Sequence, residues 1–281
     1  MGMEAFRVGV IADVHVGSMF GIWPPYMRTS SGGMYRLNRG QEYLWENWLR
    51  IAEEIPPLNV LIWNGDIVDG KQPKEGARFV LETDIIHQAK AFLEAARPFQ
   101  EKVVGVTYVT RGSRYHDVED SATEMIAYTL NARQDVYGHY SHDWLLFEAC
   151  GLLFDVAHSQ SVMIRYVTTP LEREGQFSDM AGLHADVIVR SHSHQMLISY
   201  IEGANRAPLR AEISTPAWQL ETSYVMRRNT PNRGVRRNLG MVVIEVVDGF
   251  PRVIPYVFPH PLPERVVIDG LEERCKTQTL R

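Results

Sequence analysis

Cysteine is scarce in this sequence, since Cys150 and Cys275 are the only two among 281 residues. They lie far apart, so a disulfide framework is not expected and a reducing compartment is the default. Long apolar runs are also missing, because no stretch approaches the roughly 18 residues that span a membrane. The N-terminal segment reaches a strand pattern almost at once and lacks the apolar core of a secretory signal peptide. We therefore expect a cytoplasmic protein with no membrane partner.

Excess positive charge is absent as well. The formal net charge of −5 gives no whole-molecule attraction to nucleic acid or to an anionic membrane, although it leaves room for a local basic patch. The chain has no internal repeat and no low-complexity linker. A hydrophobic content of 45% and a charged content of 22% are typical of a soluble globular protein. These values exclude the collagen-like, disordered and disulfide-scaffold classes.

Strand and helix patterns alternate over the first half of the chain. Apolar runs predict strands at 6–13, 59–66 and 102–112, and amphipathic runs predict helices at 38–55, 77–97 and 118–132. Pro98 is expected to end the second of these helices. Residues 17–37 are rich in Gly, Pro, Ser and aromatics and predict a long loop of the kind that often binds ligands.

The second half is richer in strands. We expect a hairpin over 144–159 with its turn near Gly151, a helix over 171–184 and a strand over 185–194. Four further strand patterns, separated by Gly, Asn or Pro, predict an antiparallel meander. βαβ units followed by strands favour a mixed α/β sandwich, formed by residues 1–281 as one domain with a frayed tail at about 271–281.

Metal-type ligands follow five of the predicted strands. In chain order they are Asp13 and His15, Asp66 and Asp69, His116 and Asp117, His158, and His192 and His194. Sites in α/β sheets form where the carboxyl ends of strands meet, and carboxylates with neutral imidazoles bind divalent transition metals. These ligands outnumber the roughly four of a tetrahedral zinc site, so two adjacent metals fit better. Asp69 either orients a ligand or caps a helix.

The order of these motifs resembles that of the calcineurin-like metallophosphoesterases. Asp-x-His, Gly-Asp-x-x-Asp, Gly…His-Asp, a lone His and x-His-x-His occur in that order between residues 8 and 194. The resemblance implies a four-layer αββα sandwich with two mixed β-sheets and a two-metal centre at the carboxyl ends of the strands. It implies a first metal on Asp13, His15, Asp66 and His194, and a second on Asp66, His158 and His192. His116 would be the catalytic histidine, with Asp117 beside it.

The third motif departs from the family pattern. The family usually has Gly-Asn-His followed by Asp or Glu, with the Asn on the second metal, whereas this chain has "GSRYHD". Ser113 stands where the Asn would follow Gly112, so we expect Ser113 or water as the replacement ligand. A comparably lengthened motif is similar to that of phosphoesterases from bacteriophages and prophages. The stretches "GSMFGIWPP", "GQEYLWENW", "NGDIVDG" and "PAWQLETSY" add to this narrower likeness.

The resemblance implies a dinuclear-metal-dependent phosphoesterase that acts on phosphodiesters in the manner of a nuclease. Two divalent ions, Mn²⁺ first and Fe, Zn, Mg or Ni as alternatives, would activate hydroxide. His116 would protonate the leaving oxygen as general acid. Arg111 and Arg114, beside the third motif, are candidates for phosphate contacts. The loop 17–37 and the arginines of 227–237 favour a substrate larger than phosphate, and nucleic acid is one candidate.

Two other classes remain open from the sequence. The altered third motif also fits a non-catalytic metal-binding phage assembly or interaction protein with a degenerate site. A zinc amidohydrolase typically places His-x-His on its first strand, whereas Asp13-x-His15 follows the first strand here. Cyclic-nucleotide esterase, phosphomonoesterase and protein phosphatase activities fit the same core, and the oligomeric state is not indicated.

Overall fold

A computed structural model describes residues 5–72, 76–116, 121–159, 169–203, 206–222 and 238–261. The strands within these ranges are β1 (Phe6–Ile11), β2 (Leu58–Asn64), β3 (Val103–Thr110), β4 (Ser141–His142), β5 (Leu145–Ala149), β6 (Leu152–Val156), β7 (Val187–Arg190), β8 (Leu197–Glu202), β9 (Leu209–Ser214), β10 (Asn238–Val247) and β11 (Phe250–Pro259). The helices are α1 (Arg39–Glu54), α2 (Ile85–Gln100), α3 (Ser121–Thr129) and α4 (Thr169–Met180). None of these helices has the length and apolar character that crossing a bilayer requires.

The strands form two mixed sheets. The first sheet has the order β11-β10-β1-β2-β3-β4, in which β1 to β4 are parallel, β10 is antiparallel to β1 and β11 is antiparallel to β10. The second sheet has the order β5-β6-β7-β9-β8, with β6, β7 and β9 parallel and an antiparallel strand at each edge. The predicted ligands follow the carboxyl ends of β1, β2, β3, β6 and β7.

Alternation along β1 and β2 divides the apolar side chains between two cores. Val8, Val10 and Ile62 pack against the second sheet, with Phe154, Val156 and Val189 among their partners. Ile11, Leu61 and Trp63 face the opposite way, onto a core that includes Leu44 and Trp48 of α1, Phe92 of α2 and Ile126 of α3. This period of two is the direct result of strand geometry.

The fourth layer is α4, which covers the outer face of the second sheet. Glu174 of α4 pairs with Arg190 of β7 at 2.8 Å, and Gly175 of α4 lies against the carboxylate of Glu212 on β9. The layers are therefore α1–α3, first sheet, second sheet and α4. This confirms the expected αββα sandwich with two mixed sheets.

Local signals explain where most elements begin and end. Asn38 and Gln41 form a capping box at the start of α1, which ends at Ile55 before two prolines. The two-residue turn of the β5–β6 hairpin is Cys150–Gly151, with φ of 51° and 80°, as a turn of the mirror-image type requires. The predicted hairpin and α1 are confirmed.

The predicted helix over 77–97 is wrong at both ends. Asp84 accepts a hydrogen bond from the His87 amide and caps α2, so the helix begins at Ile85. The preceding residues instead contact the loop after β1, where the Leu81 amide donates to the Gly17 carbonyl at 2.7 Å. Pro98 does not stop α2, which runs through it to Gln100. Its fixed φ suits a helix, although the missing amide hydrogen costs α2 one backbone hydrogen bond.

The predicted antiparallel meander is also wrong. β8 pairs with β9 and β10 pairs with β11, but β9 joins the second sheet beside β7, while β10 joins the first sheet beside β1. The four strands are two hairpins in different sheets. Because β10 is buried on both faces, it can be an interior strand of a sheet. The alternation pattern alone does not indicate which of the two sheets it joins.

Candidate metal centre

The turns at the strand ends bring the predicted ligands close to one another, and most of these residues have an uncommon backbone conformation. Asp13, His15, Asp66, His192 and His194 all have φ between 45° and 67°, in the left-handed region that non-glycine residues rarely adopt. Backbone bonds across the strand ends hold two of them, from the Asp13 amide to the Gly65 carbonyl at 3.1 Å and from the His15 amide to the Asp66 carbonyl at 3.0 Å. Clustered strain of this kind is characteristic of functional sites.

Gly65 is required by close approach as well as by its turn. Its φ is 75°, and a Cβ there would lie 2.5 Å from the ring of His158. The turn after β2 therefore lies flat against a side chain from the other sheet, and Asp66 is carried inward.

The first ligand group consists of Asp13, His15 and His194. His194 Nε2 lies 3.2 Å from Asp13 Oδ1, and His15 Nε2 lies 4.0 Å from the same oxygen. His15 Nδ1 is 3.2 Å from Asp69 Oδ1, which orients the ring and leaves Nε2 facing the group. All three side chains are buried.

The second group consists of Asp66, His158 and His192. His158 Nε2 lies 3.0 Å from Asp66 Oδ2, and His192 Nδ1 lies 3.7 Å from it. His158 Nδ1 donates to the Asn64 carbonyl at 2.8 Å, so Nε2 is again the free ligand atom. His192 is 43% exposed, which leaves this group open to solvent on one side.

The two groups adjoin each other. His158 Nε2 lies 4.0 Å from Asp13 Oδ1, and the His192 amide donates to Asp13 Oδ2 at 3.1 Å. Asp66 belongs to the second group by these distances, so its bridging role stays a prediction.

Ser113 contacts Asp66 rather than completing either group. Its amide donates to Asp66 Oδ1 at 2.6 Å, and its hydroxyl lies 3.1 Å and 3.3 Å from the two carboxylate oxygens. Gly112 permits this approach, since a Cβ there would lie 2.2 Å from the Asp66 amide nitrogen. The structure thus places Ser113 as an orienting hydrogen-bond donor, and its role as a ligand stays a prediction.

His116 stands beside both groups. Its Nδ1 donates to the backbone carbonyl of Asp69 at 2.7 Å, so Nε2 is the atom that faces the centre, 3.9 Å from Asp66 Oδ2. Its ring meets that of His15 edge-on at 4.4 Å, and its side chain is 14% exposed. His116 also forms a third candidate ligand group with His15 and Asp69.

The electrostatic balance of the ion-free chain keeps the carboxylates charged. Burial by itself would raise the pKa of Asp13, but the charges of His194 and His158 outweigh it and lower that pKa. Burial opposes ionisation of Asp66 as well, yet His158, His192 and His116 hold its pKa well below its usual range. Anionic oxygens are what a divalent cation requires.

The histidines respond to the same charges. Burial would lower the pKa of His158, but Asp66 and Asp13 raise it to about 9. The pKa of His15 is raised against burial by Asp69 and Asp66. By contrast, burial and the neighbouring His15 lower the pKa of His116. The pKa of His116 is therefore shifted in the opposite direction to those of His158 and His15.

Among the described residues, three buried atoms of the centre lack a hydrogen bond of good geometry: Asp13 Oδ1, His15 Nε2 and His158 Nε2. Asp13 Oδ1 and His158 Nε2 nevertheless lie close to charged partners, at 3.2 Å from His194 Nε2 and 3.0 Å from Asp66 Oδ2. Buried polar atoms are nearly always satisfied, and an unsatisfied one calls for a partner. These three lie within the two groups whose ligand atoms fall within 4.8 Å of one another. Divalent cations fit the donor set, since each group offers one carboxylate and two imidazoles.

Other predicted site residues lie at the margin or outside the described chain. Arg111 donates to Ser141 Oγ and to Asp143, both at 3.0 Å, so its guanidinium is directed toward β4. Arg114 is exposed. Asp117 and the arginines of 227–237 lie outside the described residues.

Sequence reasoning missed the amides around Asp69. Gln72 donates to Asp69 Oδ2 at 2.6 Å, and Gln88 of α2 accepts from the Asp69 amide at 3.1 Å. The available signal was Gln88 in "IIHQAKAF", a polar residue on the apolar face of a helix.

No protein-family model and no curated protein matches the chain. Similar solved structures include Vps29 from Chaetomium thermophilum, with 10% identity, a TM-score of 0.43 and coverage of 95% of this chain and 99% of that one. Vps29 complexed with Zn²⁺ from Entamoeba histolytica has 10% identity, a TM-score of 0.41 and coverage of 89% and 99%. A predicted phosphoesterase from Streptococcus pneumoniae has 11% identity, a TM-score of 0.39 and coverage of 92% and 95%. At these scores the function must be argued from this chain's own residues.

Proposed function

We propose that this chain is a metal-dependent phosphoric ester hydrolase of the calcineurin-like metallophosphoesterase family that acts on phosphodiesters. The observation that carries the proposal is the pair of adjoining Asp-His-His groups, in which three buried ligand atoms make no well-formed hydrogen bond within the described residues. A narrower relation to phage and prophage enzymes rests only on the lengthened third motif and the four sequence stretches given with it. The one-domain organisation and the cytoplasmic location stay predictions.

Two divalent ions, Mn²⁺ in our proposal, would occupy the two groups, with Asp66 shared between them. When bound, they would supply an activated water and neutralise charge on the phosphoryl oxygens. Ser113 would hold the Asp66 carboxylate at a fixed angle through its amide and hydroxyl. Orientation of this kind typically changes metal affinity or activity 10- to 100-fold, as an order of magnitude.

His116 is proposed as the general acid. The Asp69 carbonyl holds Nδ1, so a second proton on the ring resides on Nε2, the atom that faces the centre. An imidazolium that carries its second proton on Nε2 can give that proton to a departing alkoxide. Asp117, the next residue in sequence, is proposed to help orient the His116 ring. Arg114, which is exposed, is proposed to contact the phosphate.

Substrate access is supported by the exposure of His192, whose open side lets an ester reach the second group. We propose a phosphodiester, with nucleic acid as the first candidate, because the arginine-rich stretch 227–237 could follow a phosphate backbone. Phosphate contacts of Arg111 require its guanidinium to leave Asp143, a residue that is 80% exposed.

The test is a substrate panel with Mn²⁺: a bis-nitrophenyl diester, single-stranded DNA, duplex DNA, a cyclic nucleotide and a nitrophenyl monoester. Wild type and Asp248→Asn should turn over at least one diester, whereas Asp66→Asn should turn over none and hold no ions by elemental analysis. Asp248 is a matched control because it also has a positive φ, of 50°, but lies in the exposed β10–β11 turn. Two bound ions with no turnover of any substrate would favour the non-catalytic metal-binding protein instead.

A further inference from the structure

We propose that Gln88 is a positioning residue for His116, acting through the Asp69–Gly70 peptide group. This inference rests on the proposed function, because it assigns Gln88 to the support of the proposed general acid. Gln88 lies on α2, is fully buried and touches none of the ligand side chains in the described contacts.

The side-chain amide of Gln88 uses its full hydrogen-bonding capacity. Its Oε1 accepts from the amides of Asp69 and Gly70 at 3.1 Å and 2.9 Å. Its Nε2 donates to the carbonyls of Gly70 and Glu82 at 3.0 Å and 2.5 Å. An amide has two donor protons and an oxygen that accepts two bonds, so this geometry leaves one orientation for the group.

Two glycines allow close packing around the turn after β2, one against the Gln88 amide and the other against the backbone of His116. A Cβ on Gly17, whose φ is 102°, would lie 2.4 Å from Cδ of Gln88. A Cβ on Gly70, whose φ is 71°, would lie 2.1 Å from the carbonyl oxygen of His116. Gln88 therefore reaches the turn after β2 from one side, while the His116 segment contacts it from the other.

The Asp69 carbonyl and the Gly70 amide belong to the same planar peptide group. Gln88 accepts from the Gly70 N–H on one edge of this plane, and His116 Nδ1 donates to the Asp69 carbonyl on the opposite edge, at 2.7 Å. Fixing the plane fixes the direction of the carbonyl and hence the ring and tautomer of His116. The two bonds also polarise the same amide, which strengthens both.

Gln88→Met keeps the length and volume of the side chain but removes all four bonds, so the peptide plane is free to rotate. Gln41→Met is the matched control. Gln41 is also a buried amide, which donates to the carbonyls of Ser18 and Gly21 and has no contact with the Asp69–Gly70 peptide. We expect both variants to bind ions as wild type does.

Nitrogen-15 NMR of the histidine rings in the metal-free protein gives the direct readout. Wild type and Gln41→Met should show His116 protonated at Nδ1, and Gln88→Met should show a mixture of tautomers. With Mn²⁺, Gln88→Met should lose roughly 10-fold more rate on an alkyl ester than on a nitrophenyl ester, because only the alkoxide needs the proton. Should the methionine variant not fold, Gln88→Asn carries the same prediction, since its amide stops one methylene short.

Equal tautomers in the Gln88 and Gln41 variants would overturn the proposal. The NMR arm needs no turnover, so it tests the positioning role even if wild type hydrolyses no phosphate ester. Absence of activity with an altered His116 tautomer would refute the proposed function and leave the structural role of Gln88 in place.

Discussion

Single residues at the centre have separable tasks, and Ser113 shows this most clearly. It occupies the position at which the family has a metal-binding Asn, yet its amide and hydroxyl both contact the Asp66 carboxylate. The hydroxyl adds to a backbone bond that any residue would make. Its contribution can therefore be removed while the backbone contact stays.

Ser113→Ala should weaken binding of the second ion roughly 10- to 100-fold and leave the first nearly unchanged. Loss of one hydrogen bond to a charged group corresponds to about 1.5–3 kcal/mol. Ser113→Asn should strengthen the second site instead, because it restores an amide oxygen at the family's position. Calorimetric titration of metal-free protein measures both, and equal effects on the two ions would contradict this assignment.

His116 has a different task, which the nature of the leaving group reveals. His116→Ala should keep both ions, because neither of the two Asp-His-His groups includes its ring. Turnover should fall by roughly 10²–10³ for an alkoxide leaving group and by much less for a nitrophenolate, which departs without a proton. Kinetics on two esters of the same acid decide the matter. Equal losses on the two esters would instead make His116 a phosphate binder or a ligand.

At the scale of elements, the contact between α4 and β9 contains the buried carboxyl group of Glu212. Glu212 is fully buried, and within the described residues neither of its carboxyl oxygens has a hydrogen-bond partner. Burial raises its pKa to about 7; Arg210 acts against this, while Glu172, Asp179 and Glu174 add to it. The folded protein therefore holds this proton to a higher pH than the unfolded chain, where the ordinary value of 4.5 applies.

The sign of the stability effect follows from proton counts. Between pH 4.5 and about 7 the unfolded state loses the Glu212 proton while the folded state keeps it, so the free energy of unfolding falls as pH rises. Glu212→Gln cannot ionise and should escape this fall. Relative to wild type it should gain on the order of 1–3 kcal/mol between pH 5 and pH 8.

Urea unfolding of the metal-free proteins at the two pH values measures this gain. Glu148→Gln is the control, because it removes a carboxylate that is 60% exposed and whose pairing with Arg206 contributes little. A constant difference between wild type and Glu212→Gln across this range would show that Glu212 is not the group responsible.

At the scale of the whole molecule, the proposed centre joins the two sheets. Asp13, His15 and Asp66 follow strands of the first sheet, whereas His158, His192 and His194 follow strands of the second. Ions bound there would link layers that otherwise meet through apolar side chains. The ligand set exists only when both sheets are assembled, so the ions should stabilise the folded state alone.

Mn²⁺ should therefore raise the melting temperature. We expect two stages, because the second site lacks the family's Asn ligand and should fill after the first. At 100 times the dissociation constant each ion adds about 2.7 kcal/mol, which corresponds to roughly 5–10 °C for a chain of this size. Asp66→Asn should show little of the rise. Scanning calorimetry over a Mn²⁺ series tests this. A single stage with two indistinguishable tight sites would rule out a weaker second site.

The sequence by itself determined the strands that carry the ligands and the ligand types at their ends. Apolar alternation, the Asn38–Gln41 capping box and the Cys150–Gly151 turn are local features, so the segments they define are confirmed in the structure. Asp13, His15, Asp66, His158, His192 and His194 were identified because each follows a strand at a short, fixed interval. Their convergence into two groups agrees with that prediction.

The tertiary structure alone decided which sheet each late strand joins and what holds His116. β9 and β10 have the same kind of strand pattern, and only pairing with β7 and β1 separates them. The contacts between Gln88 and Gly70, Ser113 and Asp66, and His116 and Asp69 join residues 18 to 47 positions apart. Such contacts arise because strand ends meet in space, and a local pattern carries no information about which backbone groups will face each other there.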